Sequence, residues 1–118
     1  MSDLENVRKF EYRPCRIATG FHVDFVLEEQ TIHGICRGVS VTGIRAVLNG
    51  FVAVGRSGLL VLRHPTGKLE LESRVVYSEK HHVGLMFLFR SALEREMTSD
   101  YIASIANHAA DSQIVQFP

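Results

Sequence analysis

A regular alternation of apolar and polar residues, which begins after Arg16, most narrows what this chain can fold into. Every second residue from Ile17 to Leu27 falls on one face, and most of these residues are apolar, whereas His22 and Asp24 fall on the other face. Successive side chains of an extended strand point to opposite faces, so the pattern predicts a half-buried β-strand over residues 16–27.

Five more candidate strands follow, some alternating and some continuously apolar, and turn residues separate them. Asn49-Gly50 is a strong turn signal, and Pro65 and Gly67 supply the fixed φ and the left-handed position of another turn. Polar residues at 28–30 and 79–82 mark two further turns. The sequence therefore predicts strands over residues 31–37, 44–48, 58–63, 69–77 and 83–89.

The period of the pattern changes after Ser91. Ser91 and Glu94 have the spacing of a capping box, and apolar residues then recur every four positions. We predict one amphipathic helix over about residues 92–109, with Leu93, Met97, Tyr101 and Ile105 buried and with Ile102 and Ala106 left to contact a partner. Together these elements predict a mainly-β fold, a six-stranded antiparallel barrel with one C-terminal α-helix packed against it.

The length and the charge of the chain limit its organisation and its partners. Its 118 residues fit a single domain, with a flexible arm over residues 1–12, the barrel and helix over residues 13–110, and a tail over residues 111–118. Thirteen basic residues balance thirteen acidic ones. We therefore expect no general binding to nucleic acid or to anionic membranes, although a local cluster of arginines can still bind a small anion.

Several classes of chemistry lack their usual residues. Cys15 and Cys36 are too few for a disulfide framework and lack zinc-site spacing, and neither paired carboxylates nor a glycine-rich phosphate loop occurs. The longest apolar run, Val83–Phe89, is far shorter than a bilayer span, and the N-terminus has no signal-peptide core. We expect a cytoplasmic protein without membrane insertion, metal or cofactor, and one that is not an enzyme.

Two short segments predict a binding site. Arg13 and Arg16 precede the first strand, and arginine supplies forked donors for phosphate groups and for guanine edges. A Ser-x-x-Gly turn from Ser40 to Gly43 adds a hydroxyl and a backbone that a ligand can approach closely. Together they suit an anionic ligand that contains bases. Further candidates near these segments are Tyr12, Gly38, Arg8, Arg37 and Arg45.

These motifs, in this order, resemble those of the PilZ domain over about residues 8–106. Arg16 stands at the second arginine of that family's Arg-x-x-x-Arg motif, and Ser40 and Gly43 match the end of its [Asp/Asn]-x-Ser-x-x-Gly motif. Residues 71–77 and 84–87 are similar to its last two barrel strands. The resemblance implies a bacterial receptor for cyclic di-GMP, whose ligand-binding residues would be Arg13, Arg16, Ser40, Gly43, Tyr12, Gly38 and Arg45.

The chain departs from that family's motifs at two positions. Tyr12 occupies the first arginine position, so that Arg13 is one residue out of register, and Gly38 occupies the Asp or Asn position. Losing one base-edge contact costs about 1–3 kcal/mol, and losing one charge-assisted hydrogen bond costs about 1.5–3 kcal/mol. Without replacement, affinity falls by a factor on the order of a hundred to ten thousand. Arg37 and Arg45 flank the turn and are expected to restore part of that loss.

Two functions are compatible with these residues. In the first, cyclic di-GMP orders the arm against the Gly38–Gly43 turn, and the protein relays the signal to an unidentified protein partner. The alternative, favoured by Tyr12 and Gly38, is a degenerate PilZ-like module that binds no nucleotide and acts as a protein-interaction adaptor. At the level of single residues, solvated charges explain Arg13 and Arg16 equally well. Ser40 and Gly43 are also explained as turn residues, with Gly43 at a positive φ.

Overall fold

The structure, a computed structural model, describes the backbone of residues 17–116 and the side chains of residues 19–108. The described residues form seven strands and one helix. The strands are β1 (Ile17–Ala18), β2 (His22–Val26), β3 (Thr31–Val39), β4 (Gly43–Leu48), β5 (Ser57–His64), β6 (Gly67–Glu79) and β7 (His82–Phe87), and the helix is α1 (Ala92–Gln116).

The sheet closes on itself into a barrel. Neighbouring strands are antiparallel in the order β2–β3–β4–β7–β6–β5, and β5 pairs again with β2. Closure leaves none of these six strands at an exposed edge, where an open sheet would offer unpaired backbone groups. The predicted six-stranded antiparallel barrel with a C-terminal helix is therefore confirmed.

Apolar residues that alternate along the strands fill the interior of the barrel. Val23 and Phe25 of β2 are fully buried, whereas His22 on the other face is exposed. The remaining strands contribute further fully buried side chains, among them Leu48, Leu60, Leu62, Leu71 and Leu85. Because side chains fill a barrel of this size, the groups available to a ligand lie on its outer face and around the helix.

The first predicted strand is not continuous, and in this the prediction was wrong. It is divided into β1 and β2, because the chain advances five residues from Ile17 to His22 while the paired stretch of β3 advances only four. Thr19 bridges the irregular stretch, since its N–H donates to Arg37 O at 3.2 Å and its hydroxyl donates to Cys36 O at 2.9 Å. The extra residue thus keeps both flanking segments attached to β3.

The helix differs from its prediction in length and in its buried face. It begins at Ala92 as predicted but continues to Gln116, so residues 111–116 of the predicted tail are helical. Leu93 and Met97, predicted to be buried, are 64% and 53% exposed. Each four-residue step along the stripe advances about 40° beyond a full helical turn, so the stripe winds around the helix and only its later part faces the barrel.

The buried side chains among the described residues of α1 are Thr98, Ile102 and Ile105, and of these Ile105 was predicted to be buried. Ile102 was predicted to remain available to a partner, and this was also wrong. Thr98 tolerates burial because its hydroxyl donates to Glu94 O at 2.8 Å. At the start of the helix, Ser91 Oγ accepts a hydrogen bond from the N–H of Glu94 at 3.1 Å, as the capping box predicts.

Polar contacts fix α1 to the turn between β5 and β6. The hydroxyl of Tyr101 donates to Gly67 O at 2.8 Å and accepts from the N–H of His64 at 3.2 Å. Ser104 Oγ lies 3.2 Å from Thr66 Oγ1 on the same turn. Burial raises the pKa of Tyr101, so its hydroxyl stays protonated and remains a donor at neutral pH.

Gly43, the first residue of β4, is required for steric reasons. Its φ is not positive, so the predicted left-handed conformation was wrong. Gly43 pairs with Met86 of β7, and a Cβ at this position would collide with the carbonyl oxygen of Leu85. The absence of a side chain therefore allows β4 and β7 to approach each other at the end of the Ser40–Gly43 turn.

We predict that Gly43→Ala will lower the free energy of unfolding by about 1–3 kcal/mol, because the added methyl forces β4 and β7 apart. The urea midpoint of the purified chain measures this loss. Gly20→Ala is the matched control, since no atom lies within 4 Å of a Cβ there and its φ is not positive. Equal midpoints for the two variants would show that the β4–β7 contact yields without cost.

Asp24 connects three strands on the outer face of the barrel. Its carboxylate accepts from His33 Nδ1 of β3 at 2.6 Å and from Arg63 Nε of β5 at 2.9 Å, and its side chain is only 15% exposed. Burial raises the pKa of Asp24, but the hydrogen bonds from His33 and Arg63 outweigh burial and hold the pKa below its ordinary value of 3.8. The ionised carboxylate therefore stabilises the closed barrel.

We predict that Asp24→Asn will lower the free energy of unfolding by about 1–2 kcal/mol at pH 7. The folded-state pKa lies below the unfolded value, so this contribution is present above about pH 4 and is lost as the pH falls through the folded pKa. Unfolding curves of both proteins from pH 7 to pH 2 should converge at the acid end. Glu29→Gln, which removes an exposed partner of Arg56, is the control. A constant difference between the Asp24 curves at all pH values would contradict the prediction.

Candidate functional site

The Ser40–Gly43 turn is held together by its own polar groups. The N–H of Ser40 donates to Gly43 O at 2.9 Å, and Ser40 Oγ accepts from the N–H of Thr42 at 3.3 Å. The same hydroxyl lies 3.4 Å from Gly43 O, and the Ser40 side chain is buried. The Ser40 hydroxyl therefore shapes the turn.

The beginning of the described chain lies against this turn. Ile17 pairs with Val39 and Ala18 pairs with Gly38, so β1 runs beside the last two residues of β3. Arg16 is joined to Ile17 by one peptide bond, but Arg16 itself lies outside the described residues, as do Tyr12, Arg13 and Arg8. The backbone thus brings the residue after the predicted arginine segment to the predicted turn.

Four residues form a row across the outer face of the barrel. Tyr77 of β6 is opposite Gly84 of β7, Gly84 is opposite Arg45 of β4, and Arg45 is opposite Gly38 of β3. We refer to Tyr77, Gly84, Arg45 and Gly38 as the cross-strand row. Arg37 is an extra residue in β3 beside Gly38, because the pairing with β4 shifts there. A bulge of this kind turns an additional side chain outward, and Arg37 is exposed.

Tyr77 forms an aromatic platform at one end of the cross-strand row. Its ring lies over Gly84, where a Cβ would be only 2.5 Å from two ring carbons. The glycine lets the ring rest on the strand, and Tyr77 nevertheless remains 42% exposed. An exposed ring held in place by packing is suited to stack on a nucleobase.

A pocket of about 320 Å³ opens along the row and is lined by Arg37, Arg45, Ala46, Tyr77 and His82. We call it the arginine pocket. The ion pairs seen among the described residues involve neither Arg37 nor Arg45. Two guanidinium groups beside an aromatic ring, with no carboxylate in the described lining, favour an anionic ligand that carries a planar base.

The structure brings together four of the predicted site residues, Gly38, Ser40, Gly43 and Arg45. It adds Tyr77 and His82, which sequence reasoning missed because they lie on β6 and β7, more than thirty residues further along the chain. The sequence predicts Arg37 only as a cation that flanks the Ser40–Gly43 turn. The pairing of a glycine with an aromatic residue across two strands marks the platform, but recognising it requires the register of β6 against β7.

Two further findings concern metal binding and membrane crossing, neither of which the sequence predicts. In the described part of the chain, His, Cys, Asp and Glu side chains form no group of three or more that could hold a metal ion. Within residues 17–116, no helix combines the length and the apolarity needed to cross a bilayer.

Comparison with solved structures identifies similar folds. The PilZ domain with c-di-GMP of YcgR from Escherichia coli has a TM-score of 0.70 at 14% identity and covers 83% of this chain and 93% of that one. The PilZ domain of CeSA from a cellulose synthesizing bacterium has a TM-score of 0.64 at 10% identity, covering 77% and 97%. The Bacillus subtilis Inhibitor of motility (MotI/DgrA) has a TM-score of 0.62 at 24% identity, covering 79% of this chain and 50% of that one.

These identities are low, so the solved structures establish the fold alone. No curated protein matches the chain. A family model described as the PilZ domain matches residues 6–104, which is most of the sequence and includes the Ser40–Gly43 turn, β6 and β7. The chain therefore belongs to the PilZ domain family.

Proposed function

We propose that this protein binds cyclic di-GMP on the outer face of the barrel, at the arginine pocket and the adjoining turn, and relays the signal to a protein partner. The observation that carries the proposal is the cross-strand row, in which Arg45 and the Tyr77 ring lie on either side of Gly84 and Gly38 lies next to Arg45. Cyclic di-GMP needs cations for its phosphates and flat surfaces for its guanines. The row supplies one guanidinium and one aromatic ring, and Arg37 beside it adds a second guanidinium.

The groups in the arginine pocket offset the two departures from the family's motifs. Arg37 and Arg45 supply guanidinium donors for phosphate or for guanine O6 and N7. Stacking of one base on Tyr77 is worth about 1–3 kcal/mol. Together these contributions offset the loss expected from Tyr12 and Gly38, so we expect binding in the micromolar range.

Gly38 also changes what Arg45 is able to do. Directly opposed residues in an antiparallel pair have Cβ atoms about 4.5–5.5 Å apart, so an Asp at position 38 would pair with Arg45 and neutralise it. With glycine there, the guanidinium has no such partner across the strand. The exchange removes an acceptor for a guanine edge and leaves a cation for a phosphate.

The arm supplies the remaining cations in this proposal. Arg16 directly precedes Ile17, whose backbone is paired with Val39 at the turn. A ligand held by the arginine pocket is then within reach of Arg16 and Arg13, and the arm folds over it. Ordering of the arm alters the surface presented to a partner, and this change would transmit the signal.

The relatives support the ligand class by family membership. The PilZ domain of E. coli YcgR has been solved with c-di-GMP. The chain spans about half of the B. subtilis motility inhibitor, so the activity of that whole protein is not carried over. We propose binding without catalysis, so the dinucleotide should be recovered intact after incubation.

A second candidate function is that of an adaptor that binds a protein and no nucleotide. Two observations favour it, namely the absence of a side chain at Gly38 and the use of the Ser40 hydroxyl within its own turn. In that case the exposed Leu93 and Met97 on α1 are the first surface to test. The two functions differ in whether a nucleotide titration gives a saturable signal.

The test is calorimetric titration of the full chain with cyclic di-GMP at a stated salt concentration. We expect saturable binding that weakens about tenfold to a hundredfold in Arg45→Ala, because a charge-assisted hydrogen bond is lost. Tyr77→Ala should weaken binding, whereas Tyr77→Phe keeps the ring and should bind like the parent chain.

Arg56→Ala is the matched control for Arg45→Ala, because Arg56 is an exposed arginine that pairs with Glu29 away from the pocket. It should bind like the parent chain. Absence of heat at about millimolar ligand would rule out nucleotide binding and favour the adaptor. Binding that is unchanged in both Arg45→Ala and Tyr77→Ala would place the ligand elsewhere.

A further inference from the structure

A second cavity, of about 440 Å³, lies where the barrel meets the helix. It is lined by residues 19–22, by Arg63 and His64 at the end of β5, by Pro65 in the turn that follows, and by Ile105 and His108 of α1. We call it the histidine cavity. It shares no lining residue with the arginine pocket, and its volume falls in the range of small-molecule sites.

The described lining carries positive or hydrogen-donating groups and no carboxylate. It contains the imidazoles of His22, His64 and His108 and the guanidinium of Arg63. Arg63 donates from Nε to Asp24. Its terminal nitrogens have no hydrogen-bond partner among the described residues and are left to contact a ligand. The excess of donors over acceptors favours an anionic group in this cavity.

The hydrogen bonds of His64 define which of its nitrogens donates. Its Nδ1 accepts from the N–H of Thr66 at 3.1 Å, so the neutral ring carries its proton on Nε2. Burial and the nearby charge of His108 lower the pKa of His64, which keeps the ring neutral at pH 7. His64 therefore acts as a fixed donor rather than as a mobile charge.

Aromatic rings and apolar side chains form the rest of the lining. The rings of Phe21 and His64 meet edge to face with centroids 5.0 Å apart, and those of His64 and His108 do so at 5.1 Å. Phe21 and Ile105 are buried, and Pro65 adds a further apolar surface. A planar aromatic ring extends such an edge-to-face series with favourable geometry.

We propose that the histidine cavity is a second binding site and that it takes a small aromatic carboxylate. The ring of the ligand packs against Phe21, Pro65 and Ile105. Its carboxylate accepts hydrogen bonds from Arg63 and from the imidazoles. Because His108 belongs to α1 and His64 to β5, a ligand bound there bridges the helix and the barrel.

The site also adjoins the segment that connects β1 to the rest of the barrel. Thr19 lines the cavity, and its N–H donates to Arg37 O, on the bulge beside the cross-strand row. The proposal does not depend on binding of cyclic di-GMP, since the two sites use different side chains.

Benzoate is the probe, and the readout is the ring carbon–proton resonances of the histidines in the full ¹³C-labelled chain at pH 7. We expect saturable shifts at His64 and His108, with affinity on the order of millimolar for a ligand of this size. His81, which lies in the turn between β6 and β7, reports non-specific effects and should not shift. Benzamide, which has the same shape without the charge, and acetate, which has the charge without the ring, should each bind at least tenfold more weakly than benzoate.

Arg63→Gln should weaken benzoate binding about tenfold or more and leave cyclic di-GMP binding unchanged, whereas Arg56→Gln should change neither. Histidine spectra of each variant without ligand verify that the barrel is intact. The proposal is overturned by absence of shifts at His64 and His108 at about 10 mM benzoate. Equal affinity for benzamide, or undiminished binding in Arg63→Gln, would overturn it as well.

Discussion

Closure of the sheet through the two pairings of β2 is the constraint on which the rest of the molecule depends. β2 pairs with β3 on one side and with β5 on the other, and this fixes the register of every strand between them. In a closed barrel with a packed interior, the register decides which side chains face outward. A slip of one residue in β4 would bury Arg45 and expose Ile44, and the cross-strand row would disappear.

Two irregular pairings lie at the ends of the cross-strand row, and they explain its composition. The pairing of β3 with β4 shifts at Arg37, and the pairing of β6 with β7 shifts at Val76. Each shift sets two consecutive residues on the outer face, so that Arg37 accompanies Gly38 and Val76 accompanies Tyr77. Bulges commonly re-aim side chains next to binding sites. Here they place a cation and an aromatic ring at opposite ends of one surface.

The barrel could be predicted from the sequence because each strand and each turn leaves its own local pattern. The predictions were wrong where the conformation of a residue depends on a neighbouring strand. The apolar patterns of the strands and the turn residues between them can be read from one segment at a time, and the six-stranded barrel that they predict is confirmed. The break after Ala18 and the need for Gly43 depend on β3 and β7, which no single segment reveals. The predicted buried face of the helix was wrong because each four-residue step turns about 40° too far. Over the three steps from Leu93 to Ile105 the side chains therefore come to face different directions. Tyr77 and His82 join the site only through the register of distant strands.

Two glycines, which have no side chain, shape the candidate site. Gly84 lets the Tyr77 ring lie on the strand, and Gly38 leaves Arg45 without a cross-strand partner. An acidic residue at position 38 would compete with a phosphate for the same guanidinium, so glycine there favours contacts with the ligand's charge over contacts with the edges of its bases. Recognition that relies on charge and stacking tolerates more than one base, because every base has an aromatic face. In the proposed complex, glycine at position 38 therefore alters selectivity as well as affinity.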